Sequence, residues 1–388
     1  MKPGNSILSG YGTTIFETMS RLAAQHQAVN LGQGFPEGLE CPEVIEACIR
    51  ATRAGPHQYP SMLGTPELRQ AIAAHAERFY KLKLDWQSEV MVTSGATEAL
   101  ADCLLGLIEP GDEVVLIEPL YDSYLPIIRR AGGIAKLVRL KPPLWDLPRE
   151  ELANAFSDKT KLILLNTPMN PAARVFDRDE LTFIATLLDK YDAYAVCDEV
   201  YEHLIYDGLD HVPLITLPGM RERCARIGSA GKIFSLTGWK IGWVVAAPKL
   251  LQPIIKAHQF LTFTTPPMLQ NAVAFGLGLP DEFFAKLKTD LANRRDKLKA
   301  GLQRIGFATL EAKGSYFLTA DFRPLGFNGK DDDFCRYITE QAKVTAIPIS
   351  AFYQSDPPDH FARFCFAKQD EAIDEALHRL GRFFGKPG

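Results

Sequence analysis

The chain has 388 residues, which is too long for a single hydrophobic core and predicts two domains. Hydrophobic residues make up 46% and charged residues 23%, and the 43 basic and 47 acidic side chains are scattered, which excludes a basic face for nucleic acid. Seven cysteines without a closely spaced pair and eight dispersed histidines argue against a disulfide framework, a zinc site and a catalytic metal, and predict a reducing, cytoplasmic location. We see neither the apolar core of a signal peptide nor a run of the ~20 apolar residues that span a membrane.

Short apolar runs rich in β-branched residues alternate with amphipathic stretches from about residue 89 to residue 247. The runs predicted as strands are Val90–Thr93, Glu113–Ile117, Lys161–Leu165, Tyr194–Cys197, Arg226–Gly228 and Gly242–Ala246. Ala96–Ile108 and Asp179–Lys190 are predicted helices between them. Apolar strands separated by helices are typical of a mainly parallel α/β sheet covered on both faces, where ligands bind beyond the carboxyl ends of the strands.

The pattern changes after about residue 280. The segments that follow are a charged helix over Asp281–Ile305, a strand over Ser315–Ala320, a helix over Asp332–Ala342, an apolar run over Val344–Ile349, a strand over Phe361–Phe366 and a C-terminal helix. We therefore predict a smaller α+β domain made of residues 1–45 and 281–388. Residues 46–280 would form the larger domain.

A turn of small residues, Gly95, Ala96 and Thr97, follows the first of these strands and opens a helix. Backbone N–H groups at the positive end of a helix are free to bind an anion such as phosphate. The Ser229 hydroxyl and the Lys240 ammonium can add to such a site from neighbouring strand ends. A tight strand-to-helix turn and a solvated lysine would show the same pattern.

An amine, a carboxylate and a phenol, those of Lys232, Asp198 and Tyr201, fall at or near the ends of adjacent predicted strands. These are the groups needed to hold and tune pyridoxal phosphate, because a buried carboxylate keeps the pyridine nitrogen protonated. Asn170 can donate to the ring oxygen and Tyr121 can stack on the ring. Each side chain alone also fits an ordinary structural role, such as a helix cap, a turn before proline or a core tyrosine.

The order of these motifs resembles that of the fold-type-I aminotransferases that depend on pyridoxal phosphate. It is most similar to the branch that contains kynurenine aminotransferase, glutamine transaminase K and methionine aminotransferase. The matching stretches are Asn30–Pro36, Thr93–Leu100, Glu109–Tyr124, Asn166–Phe176, Cys197–Tyr201, Ser229–Trp243 and Arg363–Lys368. The resemblance implies a large domain with a mainly parallel, seven-stranded sheet of the aspartate aminotransferase type, a smaller α+β domain, and a homodimer.

The resemblance implies a role for each candidate residue around the cofactor. Lys232 would form the Schiff base and act as the catalytic base, and Asp198 would pair with the pyridine nitrogen. Tyr201 and Asn170 would bond the ring oxygen, and Tyr121 would stack on the ring. The residues implied around the phosphate are Gly95, Ala96, Thr97, Ser229 and Lys240.

The resemblance also implies how the substrate binds. Arg363 would grip its α-carboxylate, helped by the backbone N–H of Gly34 and the amide of Asn170, because a guanidinium makes two parallel charged hydrogen bonds in one plane. Phe16 would lie at the mouth of the pocket. Tyr59 would reach into the active site of the neighbouring subunit.

Three positions depart from the family pattern. The stretch Asn170–Ala173 lacks a glycine that many relatives have, so the turn must avoid a positive φ at Ala173 or tolerate strain there. Phe16 stands where kynurenine aminotransferases carry a tryptophan, and Thr264 replaces a histidine of the mammalian members. These changes alter the side-chain pocket and leave the identity of the amino donor open.

The predicted function is transfer of an amino group from a hydrophobic, aromatic or sulfur-containing amino acid, or glutamine, to a 2-oxo acid by a ping-pong mechanism. The apolar pocket candidates that favour such donors are Phe16, Tyr59, Phe263 and Phe352. Two other enzymatic functions stay open: a β-lyase that cleaves C–S bonds of cysteine conjugates, and a biosynthetic aminotransferase acting on N-succinyl-diaminopimelate. A non-catalytic regulator is disfavoured, because only about 30 residues precede the first motif, too few for a DNA-binding module.

Overall fold

Thirteen strands are present in the computed structural model, which describes residues 2–386. In chain order they are β1 (Val29–Asn30), β2 (Val90–Ser94), β3 (Glu113–Glu118), β4 (Ile134–Arg139), β5 (Thr160–Asn166), β6 (Tyr194–Asp198), β7 (Cys224–Ser229), β8 (Ile241–Val245), β9 (Ala308–Thr309), β10 (Phe317–Asp321), β11 (Val344–Thr345), β12 (Ile347–Pro348) and β13 (Phe361–Cys365).

The α-helices lie between and after these strands. They are α1 (Ile15–His26), α2 (Pro42–Ala54), α3 (Pro66–Tyr80), α4 (Trp86–Glu89), α5 (Gly95–Leu107), α6 (Tyr124–Arg130), α7 (Arg149–Ala155), α8 (Arg178–Lys190), α9 (Ala230–Ile233), α10 (Pro248–Leu261), α11 (Pro267–Leu277), α12 (Asp281–Ile305), α13 (Asp331–Tyr337) and α14 (Asp370–Phe383). Short 3₁₀ turns cover Leu8–Gly10, Leu214–Thr216, Thr237–Trp239, Arg323–Leu325 and Ile349–Phe352, and a π-helical turn covers Ile338–Ala342.

The central sheet has seven strands in the order β2-β8-β7-β6-β5-β3-β4. Only β8 runs antiparallel to its neighbours, so the predicted mainly parallel sheet with flanking helices is confirmed. The seventh strand, β4, is not among the six predicted from the sequence. It is an edge strand that carries Lys136 and Arg139, and charges of this kind on an edge discourage pairing with another chain but also hide the apolar pattern of a strand.

Alternate residues of the central strands pack into separate cores on the two faces of the sheet. Leu162 and Leu164 of β5 belong to one core, and Ile163 and Leu165 belong to the other. Because side chains alternate along a strand, a strand covered on both faces is apolar throughout, which is the pattern read from the sequence.

The C-terminal part follows the predicted order of elements. Helix α12 has the predicted bounds, and β12, β13, β10 and β9 form an antiparallel four-stranded sheet. Strand β1 pairs with β11, which joins the N-terminal segment to this part of the chain. The exact division into domains at residues 45 and 280 stays a prediction.

The strand order brings the predicted site residues to one edge of the sheet. Asn166 and Asp198 are paired at the ends of β5 and β6, and Ser229 ends β7. Because β8 is antiparallel, it begins at this edge, so Lys240 lies beside the ends of β2 and β7.

Within residues 2–386, no helix combines the length and the apolar character that crossing a membrane requires.

Candidate active site

A cavity of about 390 Å³ opens at the carboxyl edge of the central sheet. The predicted site residues that line it are Phe16, Gly34, Gly95, Ala96, Thr97, Tyr121, Asn170, Asp198, Tyr201, Ser229, Lys232, Lys240 and Arg363. One cavity therefore collects residues from both the central sheet and the C-terminal part of the chain.

One end of the cavity is suited to an anion. Helix α5 begins directly after β2, and Gly95 at its start has a φ of +75°, a conformation that disfavours other residues. A Cβ atom at Gly95 would lie 3.4 Å from the Lys240 Nζ, so the ammonium sits beside the helix N-terminus. Backbone N–H groups, a helix dipole and a cation meet there, with the Ser229 hydroxyl on the neighbouring strand.

Lys232 follows β7 on the short helix α9 and extends into the cavity. Its Nζ donates a hydrogen bond of 3.0 Å to the Tyr316 hydroxyl, which donates in turn to the Gly34 carbonyl at 2.7 Å. Loss of solvation lowers the pKa of Lys232 to about 8, although the negative charge of Asp198 opposes this shift. The amine is thus partly neutral near physiological pH, the form that acts as a nucleophile or base.

Asp198 ends β6 and is almost completely buried. Its Oδ2 accepts a hydrogen bond of 2.6 Å from the Tyr124 hydroxyl, whereas its Oδ1 is buried without a partner among the described residues. Burial raises the pKa of Asp198 above its ordinary value, while the Tyr124 hydrogen bond and the charge of Lys232 partly oppose this. A buried carboxylate oxygen without a partner calls for a cationic donor.

Asn166 holds the two neighbouring segments in register. Its Nδ2 donates to the Asp198 carbonyl at 2.9 Å, and its Oδ1 accepts from the Asn170 backbone N–H at 2.8 Å. The side-chain amide of Asn170 is thereby placed in the cavity near the end of β6.

Arg363 lies on β13 and has no exposed surface. Its two terminal nitrogens donate to the Asn170 Oδ1 at 2.8 Å and to the Gly32 carbonyl at 2.6 Å, and its guanidinium carbon lies 4.0 Å from the centre of the Phe317 ring. Burial lowers its pKa to about 10, which leaves it protonated at neutral pH. Both oxygens that accept from its terminal nitrogens belong to neutral groups, so the charge of this buried cation is available to a ligand carboxylate.

The predicted aromatic residues divide into two groups. Phe16 lines the cavity and packs against Phe352 with ring centres 5.8 Å apart. Tyr59 lies outside the cavity of its own chain, is 84% exposed and packs against the exposed Phe263 at 6.0 Å. The structure of one chain therefore does not bring Tyr59 and Phe263 to the other site residues.

The turn after Asn170 lacks the glycine that many relatives have, and of the two conformations considered for Ala173 it adopts the strained one with a positive φ. Ala173 has a φ of +54° and is buried. Its carbonyl accepts hydrogen bonds of 2.8 Å from the backbone N–H groups of Lys313 and Gly314, and its own N–H donates to the Met169 carbonyl at 2.9 Å. These bonds hold the residue in the left-handed region despite its Cβ atom.

We expect Ala173→Gly to stabilise the protein by roughly 0–1 kcal/mol, because relief of the ~1–2 kcal/mol steric cost of a positive φ offsets the ~1 kcal/mol that glycine costs at a buried alanine. Ala172→Gly is the matched control: Ala172 is equally buried but has no positive φ, so that change should lower stability by about 1 kcal/mol. Denaturant unfolding of both variants measures the difference. Equal destabilisation by both changes would contradict the strain at Ala173.

Some residues of the site were missed from the sequence. Tyr124, Asn166, Tyr316 and Phe317 all contact the predicted residues. Tyr124 and Asn166 fall within stretches that match the aminotransferase family, so their position could have identified them as site residues. Tyr316 and Phe317 lie in a segment that the sequence identifies only as a strand, and nothing in its pattern points to Lys232 or Arg363.

The cavity fits pyridoxal phosphate on its own chemistry. An unpartnered buried carboxylate oxygen of Asp198 suits a protonated pyridine nitrogen, and the helix end with Lys240 suits a phosphate. Between them, Lys232 presents an amine with a lowered pKa, which suits an aldehyde.

Comparison with known proteins agrees with this chemistry. The family model described as aminotransferase class I and II matches residues 26–380. A Mycobacterium tuberculosis relative named probable N-succinyldiaminopimelate aminotransferase DapC is 42% identical, over 98% of this chain and 99% of that protein. A mouse kynurenine–oxoglutarate transaminase 3 is 37% identical, over 95% of this chain and 88% of that protein. The solved structure of an Escherichia coli protein with a methionine aminotransferase function has a TM-score of 0.95 at 37% identity, covering 98% of this chain and 100% of the other.

Proposed function

The chain belongs to the aminotransferase class I and II family, and on that basis we propose how its residues divide the reaction and which donors they accept. It is a transaminase dependent on pyridoxal phosphate, the cofactor of this family, and it acts on amino acids and 2-oxo acids. When bound, the cofactor supplies an electron sink for the electrons left at the substrate Cα. One observation supports these roles most strongly. The Asp198 Oδ1 has no partner among the described residues, and it lies in the same cavity as Lys232 and Arg363.

Lys232 is the residue that carries the cofactor and moves the proton. Its Nζ removes the Cα proton of the substrate, and its lowered pKa leaves enough of the amine neutral to do so. Tyr316 accepts a hydrogen bond from Nζ and is itself anchored on Gly34, which orients the amine within the cavity.

Asp198 keeps the ring nitrogen protonated, with Tyr124 holding the carboxylate in place. Asn170 and Tyr201 would donate to the ring oxygen of the bound cofactor and Tyr121 would stack on its ring, and all three line the cavity. The residues that would hold its phosphate are Gly95, Ala96, Thr97, Ser229 and Lys240. Arg363 binds the substrate α-carboxylate, with Asn170 and the Gly34 N–H beside it.

We further propose that the donor is a hydrophobic, aromatic or sulfur-containing amino acid, or glutamine. Within residues 2–386, the cationic side chains that line the cavity are Lys232, Lys240 and Arg363, and each already has a partner in the reaction. The wall near Arg363 is aromatic, with the rings of Phe16, Phe317 and Phe352 within 5.2 Å of its guanidinium carbon. A second substrate carboxylate would meet no further cation from this chain.

A panel of donors tests this proposal directly. With 2-oxoglutarate as acceptor, kcat/KM for methionine and phenylalanine should exceed that for aspartate by at least ~10-fold, since burial of one apolar group is worth roughly 10–200-fold in discrimination. Asparagine is the matched control, because its side chain has the length of that of aspartate without the charge. A clear preference for aspartate would contradict the proposed donor class.

Two other reactions remain candidates for specific reasons. The Mycobacterium tuberculosis relative favours N-succinyl-diaminopimelate, so this donor belongs in the same panel, and a preference for it would identify a biosynthetic enzyme. Lysis of cysteine conjugates shares the chemistry at Cα, and release of pyruvate and ammonia without any oxo acid acceptor would identify it.

We also propose that the protein is a homodimer with a shared active site. The end of α10 and the loop around Tyr59 expose large apolar side chains: Tyr59, Phe260, Leu261 and Phe263, exposed by 84%, 80%, 51% and 42%. Apolar surface of this kind usually marks an interface. Light scattering should give twice the 43.1 kDa of one chain, and a monomer at working concentrations would contradict this. The predicted cytoplasmic location stays a prediction.

A further inference from the structure

A second cavity, of about 690 Å³, shares no lining residue with the active site. It lies beside the C-terminal end of α3 and the segment that follows β6. Glu202 and His203, in the segment after β6, line this cavity, and the side chain of His75 from α3 lies beside them.

The donor atoms of these three side chains are already close together. One donor atom from each lies within 4.8 Å of the others, and the Nε2 atoms of His75 and His203 are 2.8 Å apart. One carboxylate oxygen of Glu202 accepts a hydrogen bond from Arg226, and the other, Oε1, is buried without a hydrogen bond of ordinary geometry among the described residues, although the Tyr80 side chain lies beside the carboxylate. The cluster therefore has one carboxylate oxygen without an ordinary hydrogen bond and two imidazoles that share a single contact.

The charges around the cluster also favour a cation. One buried guanidinium, that of Arg226, faces two buried carboxylates, those of Glu199 and Glu202, and the His211 imidazole lies 2.8 Å from Glu199. A divalent cation beside Glu202 would add positive charge where buried carboxylates outnumber buried guanidinium groups.

Glu98, Asp102 and His258 form a second cluster of side chains with metal-binding atoms. It differs from the first cluster in the partners of its histidine. Both nitrogens of His258 face oxygen atoms, the Glu98 carboxylate at 2.9 Å and the Met62 carbonyl at 2.7 Å. Burial alone would lower the pKa of His258, but these contacts and Asp102 raise it to about 10. Both ring nitrogens of His258 thus already have oxygen partners, whereas in the described part of the chain the Nε2 atoms of His75 and His203 contact only each other.

We propose that His75, Glu202 and His203 bind a divalent transition-metal ion, with water from the second cavity completing its coordination. Two imidazoles and one carboxylate form a ligand set that Zn²⁺ uses in tetrahedral sites with one open position. With Zn–N bonds of ~2.0–2.1 Å, the two Nε2 atoms would move apart to about 3.3 Å, a small adjustment of the side chains. The ion would join α3 to the segment that begins four residues after Asp198, so its role is to stabilise the wall of the active site.

This proposal does not depend on the roles assigned to the active-site residues. The histidines are dispersed along the chain, which predicts no metal site; His75 and His203 are 128 positions apart, and only the fold brings them together.

The test uses the holoenzyme after dialysis against a chelator, titrated with Zn²⁺ by calorimetry. We expect one Zn²⁺ per chain and a rise in melting temperature on binding, with His75→Gln and His203→Gln each weakening the affinity at least 10-fold. His378→Gln removes an exposed histidine outside the cluster and should bind like the unchanged protein. Binding that is absent, or that is as strong in both cluster variants as in the unchanged protein, would overturn the proposal.

A spectroscopic measurement on the unchanged protein tests the site even if the histidine variants fail to fold. Co²⁺ added to the unchanged holoenzyme should give the visible d–d bands of a four-coordinate site with nitrogen ligands. A spectrum of octahedral, water-ligated Co²⁺ would overturn the proposal even if both histidine variants were unstable. Retention of the visible band of the bound cofactor in each variant confirms that the active site is intact.

Discussion

Lys232→Ala should reduce transamination by at least ~10⁴-fold, because the change removes both the group that carries the cofactor and the base at the substrate Cα. The neighbouring residues cannot replace it: Tyr316 contacts the same nitrogen but is anchored on Gly34, and Lys240 lies at the phosphate end of the cavity. Single-turnover kinetics with the best donor of the panel measures the loss. The visible absorbance of the cofactor bound to the lysine should disappear at the same time.

Lys249→Ala is the matched control for this change. Lys249 is an exposed lysine at the start of α10 and lies outside the cavity, so its loss should leave kcat and the visible band unchanged. Turnover by Lys232→Ala at a rate close to that of the control would contradict the assignment of Lys232.

Asp198→Asn should lower kcat by ~10²–10³-fold, the range found when one preorganised electrostatic contact is removed from an active site. Asparagine has nearly the same shape but no charge, so it no longer keeps the ring nitrogen protonated and the cofactor loses much of its capacity as an electron sink. Binding of the cofactor should persist, because Lys232 and the phosphate end of the cavity are unchanged. The measurement is kcat together with the visible spectrum.

Tyr124→Phe separates the charge of Asp198 from its position. This change removes the 2.6 Å hydrogen bond to Oδ2 but keeps the carboxylate, so we expect a loss of only ~10-fold, in line with one hydrogen bond to a charged group. If Asp198→Asn costs no more than Tyr124→Phe, the charge of Asp198 is not what the reaction requires.

Much of the fold follows from patterns that packing on both faces imposes. The strand runs up to Gly242–Ala246 are apolar throughout because both faces of the sheet are covered, and α12 has its predicted bounds because its charged face repeats with helical spacing. Strand β4 was not predicted from the sequence, because an edge strand is only partly covered and carries charges. Its existence depends on pairing with β3, which no local pattern records.

The site divides in the same way. Residues in motifs, such as Asp198 and Lys232, could be predicted because their type and order are distinctive. Tyr316 could not, since its contact with Lys232 joins positions 84 apart through the packing of the C-terminal part on the central sheet. The sequence restricted Ala173 to two conformations, and the hydrogen bonds from Lys313 and Gly314 select the strained one.

Mapping the lysine that carries the cofactor is the most direct measurement of the chemistry at this site. Borohydride reduction of the yellow holoenzyme makes the link between cofactor and lysine permanent, and mass spectrometry of a proteolytic digest then locates it. We expect the phosphopyridoxyl group on the peptide that contains Lys232 and on no other. A modified Lys240, or a protein that carries no modification after reduction, would contradict the central role of Lys232.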